Sequence, residues 1–228
     1  MKKEDNSRKY YEAYDERYKV AHAQGLHWFS DNASPIVTQT VKKHHISPQM
    51  HILELGCGEG RDAHHLLNQG FTHLLATDIS PEAIRFCKQK WQQFESSFRV
   101  LDCVNGSLDQ AFDFIYAVAV IHMFLLDEDR NAFYRFIHEH LTEDGIALIC
   151  SMGDGNADRQ SDINTAFELQ ERECEGKTVR VAGTSCRMVT NEAFARELAR
   201  NHLSVIEQGQ TSIPNEFSDM MYAVVKRA

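Results

Sequence analysis

The stretch ILELGCGEGRDA, residues 52–63, places three glycines within five positions directly behind an apolar run. A buried strand that gives up its side chains at its end is suited to a ligand needing close backbone approach. Glycine allows the tight turn, and the turn brings backbone N–H groups and a helix N-terminus against an anionic group. On either side of this stretch, strand and helix signals alternate. His51 to Leu55 is a short apolar run, and Ala63, Leu66 and Leu67 then share one helical face, closed by Gly70 at a C-cap position. Leu74 to Thr77 is the next strand, followed by Ser80-Pro81-Glu82, a side-chain cap and then proline where helices prefer it. Ala83, Ile84, Cys87 and Trp91 form the buried stripe of that helix. Phe98 to Leu101 and Phe114 to Val118 read as strands, and Asp127 to Leu141 as a helix with Phe133, Phe136, Ile137 and Leu141 inward. Thr142 to Gly145 then turns into a strand from Ile146 to Cys150. Strands alternating with helices predict a parallel sheet covered on both faces.

The end of the chain breaks this rhythm. After a helix starting near Thr190 come two strand-like runs, Leu203 to Gln208 and Met221 to Lys226, joined by the polar link GQTSIPNEFSDM. A parallel crossover normally needs its own helix, so this pair is expected to be antiparallel. The segment Ser151 to Val189 is long and polar, and ELQERECEGKTVRV (168–181) reads as a hairpin turning at Glu175-Gly176. Loops of this length act as lids or binding elements, the alternative being a solvated surface excursion.

Composition narrows the function classes. The chain has 228 residues, 43% of them hydrophobic, enough for one good-sized core, and a single domain over 1–228 is expected. A net charge of −9 without a basic cluster disfavours nucleic acid and anionic membrane as partners. Six cysteines without a CxxC pair, most of them in apolar runs, read as buried thiols of a reducing cytosol. The opening MKKEDNSRKYYEAYDERY lacks the apolar core of a signal peptide, and no run has the length of a membrane span. The expected location is cytoplasmic.

Three details sharpen the identity of the ligand. The spacing is GxGxG at Gly56, Gly58 and Gly60, and the third glycine of a dinucleotide fingerprint would fall on Arg61, whose bulk opposes close helix–strand packing. Glu54 would repel a pyrophosphate but can accept hydrogen bonds from an ammonium group. Asp78 ends the next strand, where an acid commonly binds ribose hydroxyls. A ligand with a ribose and an α-amino acid fits better than one with two phosphates, and S-adenosylmethionine is such a ligand.

Taken together, LELGCGEG, TDISPEAI, Asp102 after the third strand, FDFIYAVAVIHMF and LTEDGIALI resemble the class I S-adenosylmethionine-dependent methyltransferases. The resemblance implies a three-layer, doubly wound, Rossmann-like α/β fold of seven mostly parallel strands with an antiparallel last strand. It implies that Glu54, Gly56, Cys57 and Gly58 lie at the methionine portion and that Asp78 takes the ribose hydroxyls. Ile79 would flank the adenine, Asp102 and Cys103 would lie at its edge, and Ala117 and the residues after it would close the pocket. The stretch YDERYKVAHAQGLHWFSDNASP resembles the N-terminal segment of the thiopurine and tellurite-resistance-type small-molecule branch, whose aromatic residues fold over the cofactor. Tyr14, Tyr18 and Trp28 would take those places. The aspartate and arginine often found after the tryptophan are replaced here by Phe29 and Asn32. The implied division is an N-terminal helical lid over 1–45, a cofactor-binding half over 46–150, an acceptor-side insertion over 151–189, and a C-terminal helix and strand pair over 190–228.

Tyr11, Tyr14 and Tyr18 share one helical face, a pattern that suits a core stripe as well as rings placed beside a sulfonium. His122 follows the fourth strand, where it is a candidate base or acceptor contact as well as a packing residue. Arg187, just before Thr190, is a candidate partner for an acceptor anion. The histidine pairs 44–45, 64–65 and 138/140 lack acid or cysteine partners at ligand spacing, so no metal is expected. Methyl transfer is an in-line displacement at an activated carbon. It draws much of its rate from alignment and needs a base only when the acceptor must lose a proton. The expected activity is transfer to a small-molecule acceptor, leaving S-adenosylhomocysteine, by a monomer or homodimer. The alternatives are a protein side-chain acceptor and a cofactor-binding regulator without turnover. Arg61 and Glu54 disfavour a nicotinamide-dependent dehydrogenase. AVAVIHM stands where an adenine-N6 methyltransferase expects an acidic or amide residue and two prolines, and the Pro-Cys of a cytosine-C5 enzyme is also absent.

Overall fold

The computed structural model describes residues 9–28, 32–214 and 216–228. The expectations that involve residues 1–8 and Phe29 lie outside these. Two helices precede the sheet, α1 (Ala13–Ala23) and α2 (Pro35–Lys43). Next come β1 (Ile52–Leu55), α3 (Arg61–Asn68), β2 (Leu74–Asp78), α4 (Pro81–Lys90), β3 (Phe98–Val100), β4 (Phe112–Val118), α5 (Asp127–His140) and β5 (Leu141–Met152). The remainder is β6 (Arg159–Gln160), β7 (Leu169–Cys174), β8 (Lys177–Ala182), β9 (Arg187–Met188), α6 (Asn191–Arg200), β10 (Leu203–Ile213) and β11 (Phe217–Arg227).

Local chemistry sets the helix ends. Ser80 Oγ accepts from the Ala83 amide at 3.0 Å and Thr190 Oγ1 from the Ala193 amide at 3.2 Å, capping α4 and α6. Gly70 follows α3 with φ +91°, a conformation costly for any side-chain-bearing residue. Helix α4 stops at Lys90, one residue short of the stripe expected to include Trp91, which is buried just beyond the helix end.

Seven strands form one sheet in the order β10-β11-β5-β4-β1-β2-β3. Strands β5, β4, β1, β2 and β3 run parallel, and β11 is antiparallel to both of its neighbours. Helices α2, α3 and α4 pack on one face through Ile36, Val37, Leu66, Leu67, Ile84 and Cys87. Helices α5 and α6 cover the other face with Phe133, Phe136, Ile137, Phe194 and Leu198. Each such side chain gains about 1.5–3 kcal/mol from burial. Chain order reverses between β1 and β4, and the crevice beyond their C-terminal ends is where ligands of open α/β sheets bind.

Two boundaries differ from expectation. Strand β5 begins at Leu141, which pairs with Phe112, while the next pair is Phe114 with Ile146. The Thr142–Gly145 turn is therefore an excursion within the strand. The supposed polar link near the C-terminus is mostly strand, since the β10–β11 ladder runs from Leu203 with Arg227 out to Ile213 with Phe217. Strand β10 lies at the sheet edge, so its exposed side can be polar without interrupting the backbone pairing.

In the 151–189 region, β7 and β8 form a hairpin turning at Glu175-Gly176, and β6 pairs with β9. Helix α1 packs on β8 through Arg17, whose Nη2 donates to the carbonyls of Ala182 and Gly183 at 2.9 Å each. No helix among the described residues is long and apolar enough to cross a membrane.

Candidate active site

The turn after β1 is built from left-handed glycines with close neighbours. A Cβ on Gly56 (φ +70°) would lie 2.4 Å from Val120 Cγ2, and one on Gly60 (φ +77°) 2.5 Å from the Trp91 ring and 2.9 Å from Cys87 Sγ. The tight helix–strand packing that a dinucleotide fingerprint places on its third glycine occurs at Gly60 in this chain, which leaves Arg61 free to point elsewhere. Its guanidinium pairs with Glu216 beside β11 and lies 3.8 Å from Asp62.

The turn forms the floor of a cavity. Its walls include Tyr14, Tyr18, Glu54, Gly56, Cys57, Gly58, Asp78, Ile79, Asp102 and Cys103, residues from four separate stretches of sequence. Tyr11, Glu59, Arg61, Asp62, Val120, Met123, Phe124 and Phe217 also line it. Of these, Glu59 stands inside the glycine motif, and Tyr11 lies one turn before Tyr14. Phe217 had no local signal, because only the long C-terminal hairpin brings it to the crevice.

Four of the expected residues do not line the cavity. Ala117 is buried within β4, one residue before the lining Val118. Trp28 packs against Arg17, its ring centroid 4.7 Å from the guanidinium carbon, and its amide donates to Glu59 Oε1 at 2.8 Å. Arg187 donates to the Leu125 carbonyl and to Asp127 Oδ1, both at 2.7 Å. His122 is 2% exposed, edge-on to the Phe217 ring with centroids 6.5 Å apart, and no described group partners its Nδ1. Burial, with Arg130 nearby, pushes the His122 pKa down to about 3, so the imidazole is neutral at ordinary pH.

The cavity is strongly acidic. Asp78 Oδ2 accepts from the Gly58 amide and Oδ1 from the Ser80 amide, both at 2.8 Å, tying the glycine turn to the start of α4. Burial nonetheless pushes its carboxyl up to about 6. Glu54 accepts from the Tyr116 hydroxyl at 3.0 Å, and burial, reinforced by the Asp62 carboxylate, holds its pKa well above the usual range. Asp62 accepts from the Ser34 amide at 2.6 Å and the Ser34 hydroxyl at 2.8 Å, and burial raises it too. Buried carboxylates crowded in this way favour a cationic ligand, because a positive charge relieves both their repulsion and their desolvation. The cavity roof is aromatic, with Tyr14 and Tyr18 on α1 lining it together with the glycine turn. Asp102 at the rim accepts from Lys9 Nζ at 2.5 Å and from the Val104 amide at 2.9 Å. Among the described residues, no group of three His, Cys, Asp or Glu is placed to hold a metal ion.

Comparison with known proteins gives concordant results. Residues 53–147 match a family model described as a methyltransferase domain. The chain is 26% identical to phosphoethanolamine N-methyltransferase 1 of Arabidopsis thaliana, over 58% of its own length and 27% of that protein. It is 30% identical to EEF1A lysine methyltransferase 4 of Mus musculus, over 42% of its own length and 39% of that protein. The matched segments thus span well under half of these curated relatives. Among solved structures, 1,6-didemethyltoxoflavin-N1-methyltransferase of Burkholderia thailandensis, with bound 1,6-didemethyltoxoflavin and S-adenosylhomocysteine, superposes with a TM-score of 0.69 at 18% identity, over 95% of this chain and 88% of that one. A TehB-like S-adenosylmethionine-dependent methyltransferase of Corynebacterium glutamicum gives a TM-score of 0.57 at 20% identity, over 96% and 98% of the two chains.

Proposed function

We propose that this chain, which has the class I methyltransferase fold and a methyltransferase domain over residues 53–147, transfers a methyl group from S-adenosylmethionine to a small-molecule acceptor. The observation that carries the proposal is the juxtaposition of Glu54 and Asp78, both buried, on either side of the amide-lined glycine turn beneath an aromatic roof. Glu54 is suited to the ligand's ammonium and Asp78 to its ribose hydroxyls. Ile79, Asp102 and Cys103 suit the adenine, and Tyr14 and Tyr18 the neighbourhood of the sulfonium. The cofactor supplies an activated methyl carbon, and the protein's part is to align an acceptor with it and exclude water. Residues 46–150 hold the cofactor, helix α1 roofs it, and Phe217 with Val120 and Met123 walls the acceptor side.

No general base is assigned to the step. His122 stands behind Phe217 with a pKa of about 3, and Arg187 is already engaged by Leu125 and Asp127, so neither meets an acceptor in this arrangement. The small-molecule reading draws on the enclosure of the cavity by α1 and the β10–β11 hairpin. A protein lysine acceptor is the second reading, favoured by the mouse relative. Calorimetry with S-adenosylhomocysteine and with NAD tests the cofactor, and tighter binding of NAD would overturn it. Formation of S-adenosylhomocysteine with a panel of small amines, acids and thiols, set against a panel of lysine peptides, separates the two acceptor classes.

A further inference from the structure

Among the side chains that tie the roof helix α1 to the cofactor half is one, besides Asp15, that the proposed reaction does not use. His22 Nε2 lies 2.9 Å from Glu59 Oε1, on the glycine turn, and Nδ1 lies 2.8 Å from Glu82 Oε1, on α4. We propose that His22 is a positioning residue: as an imidazolium bridging Glu59 and Glu82, it holds α1 and Tyr18 closed over the cofactor cavity.

The geometry suits the charged ring. A neutral imidazole donates from one ring nitrogen only, so its other lone pair would face an ionised carboxylate unless that carboxyl took up the proton. With both nitrogens at hydrogen-bond distance from different carboxylates, an imidazolium satisfies both. The ring is nearly inaccessible, its side chain 5% exposed, and lies between two rings: Phe86 of α4 at 4.4 Å and Tyr18 at 5.7 Å between centroids. Glu59 and Tyr18 both line the cavity, so the bridge fixes one wall residue and one roof residue together.

The charged groups around the ring are few. Glu82 is also bound by Arg85 of α4, whose Nε donates to Oε2 at 2.8 Å, and Glu59 also takes the Trp28 amide. On α1 itself, Asp15 accepts from Ser80 Oγ at 2.6 Å and pairs with Lys19 at 2.7 Å. His27 lies across Phe86 at 5.3 Å. Burial pulls the His22 pKa down, but the hydrogen bonds the ring donates to Glu59 and Glu82 outweigh it and raise the pKa above the ordinary histidine value. A raised histidine pKa means that the bridge is complete below pH ~6.5 and is lost as pH rises through the folded value. Loss of one proton sets a lone pair against a carboxylate and releases α1.

Only the cofactor arm of the test rests on the proposed function. In the ligand-free protein, the His22 ring is titrated by NMR while hydrogen exchange is followed across Ala13–Ala23, corrected for intrinsic rate. The expected results are a ring pKa above ~6.5 and at least tenfold loss of α1 protection through the same titration. In His22→Gln, protection should be low and independent of pH. As pH rises through the His22 titration, S-adenosylhomocysteine affinity should fall at least tenfold in the wild type, and this alkaline fall should be missing in His22→Gln. A ring pKa at or below ~6.5, or α1 protection that ignores the titration, overturns the proposal, and the wild-type data decide this even if the variant does not fold. An α1 that follows His22 in a protein that binds no S-adenosylhomocysteine at any pH would sink the cofactor reading and leave the His22 bridge standing.

Discussion

The Tyr116 hydroxyl on β4 donates to Glu54 Oε2 on the adjacent strand β1 across 3.0 Å, the one hydrogen bond from a described side chain that this buried carboxyl receives. With burial and Asp62 both raising its pKa, Glu54 retains its proton well above the usual carboxylate range until a cation arrives. Binding of a ligand ammonium should therefore expel a proton. Calorimetry in buffers of different ionisation enthalpy, repeated from pH 5 to 8, should show net proton release on S-adenosylmethionine binding within that range. Glu54→Gln should reduce that release and weaken binding about tenfold or more, as loss of a charge-assisted bond requires. Equal proton release in Glu54→Gln would place the ammonium elsewhere.

Asp78 gives a second pH signature with opposite consequences for binding and folding. Its carboxyl is raised to about 6, so cofactor affinity should fall as pH drops below that value and the acceptor of the ribose hydroxyls is protonated. Stability runs the other way. The folded protein holds this proton more tightly than the unfolded chain, so stability is lost as pH rises from ~3.9 to about 6, on the order of 2–3 kcal/mol. Asp78→Ala should bind S-adenosylhomocysteine at least tenfold more weakly with an unchanged circular dichroism spectrum. Urea unfolding from pH 4 to 7 should also show a flatter profile in this variant than in the wild type.

Arg61 and Glu216 join the start of α3 to the turn of the β10–β11 hairpin, with side chains 11% and 10% exposed. Removing one partner of a buried ion pair weakens the compensation of the other's charge, so Arg61→Met alone should destabilise the fold, by up to about 3 kcal/mol. Adding Glu216→Gln should recover a large part of that loss. Additive costs in a double-mutant cycle, read by urea unfolding, would show that the two charges are not coupled.

Arg17 links α1 to the 151–189 region by donating to Ala182, Gly183 and Thr184. Arg17→Ala removes these bonds, leaving Gly183 O only the Thr184 hydroxyl of the two side-chain donors it has here, and should raise hydrogen exchange in both α1 and Lys177–Ala182, by about tenfold or more. Faster exchange in α1 alone would mean that β8 is held by its own hairpin.

The sequence made the cofactor half easy to read because its signals are local. Glycines at 56, 58 and 60, the Ser80 cap and the apolar runs of β1, β2 and β4 each report their own conformation within a few residues. The acceptor side offered less. Phe217 lines the cavity only because a hairpin running from Leu203 to Arg227 carries it there, and the edge position of β10 hides the strand character of its polar half. His122 drew notice by its place after β4, yet the backbone turn at Ile121–Met123 buries it instead of presenting it to the crevice. Local pattern located that residue, and only packing determined its direction.

The outer strand β10 also bears on what the sheet offers to the strand of another chain. An eleven-residue edge strand with free N–H and C=O groups is a template for another chain's strand. Here the ladder to β11 slips twice, between Val205 and Glu207 and again between Thr211 and Ile213, and each slip bends and twists the edge. Ile206, 44% exposed, sits in the first slip and offers a partner no flat register to continue. At the opposite end of the sheet β3 is only three residues long, with Arg99 and Val100 exposed. One border is irregular and the other short and charged, so neither gives a second sheet a continuous row to extend.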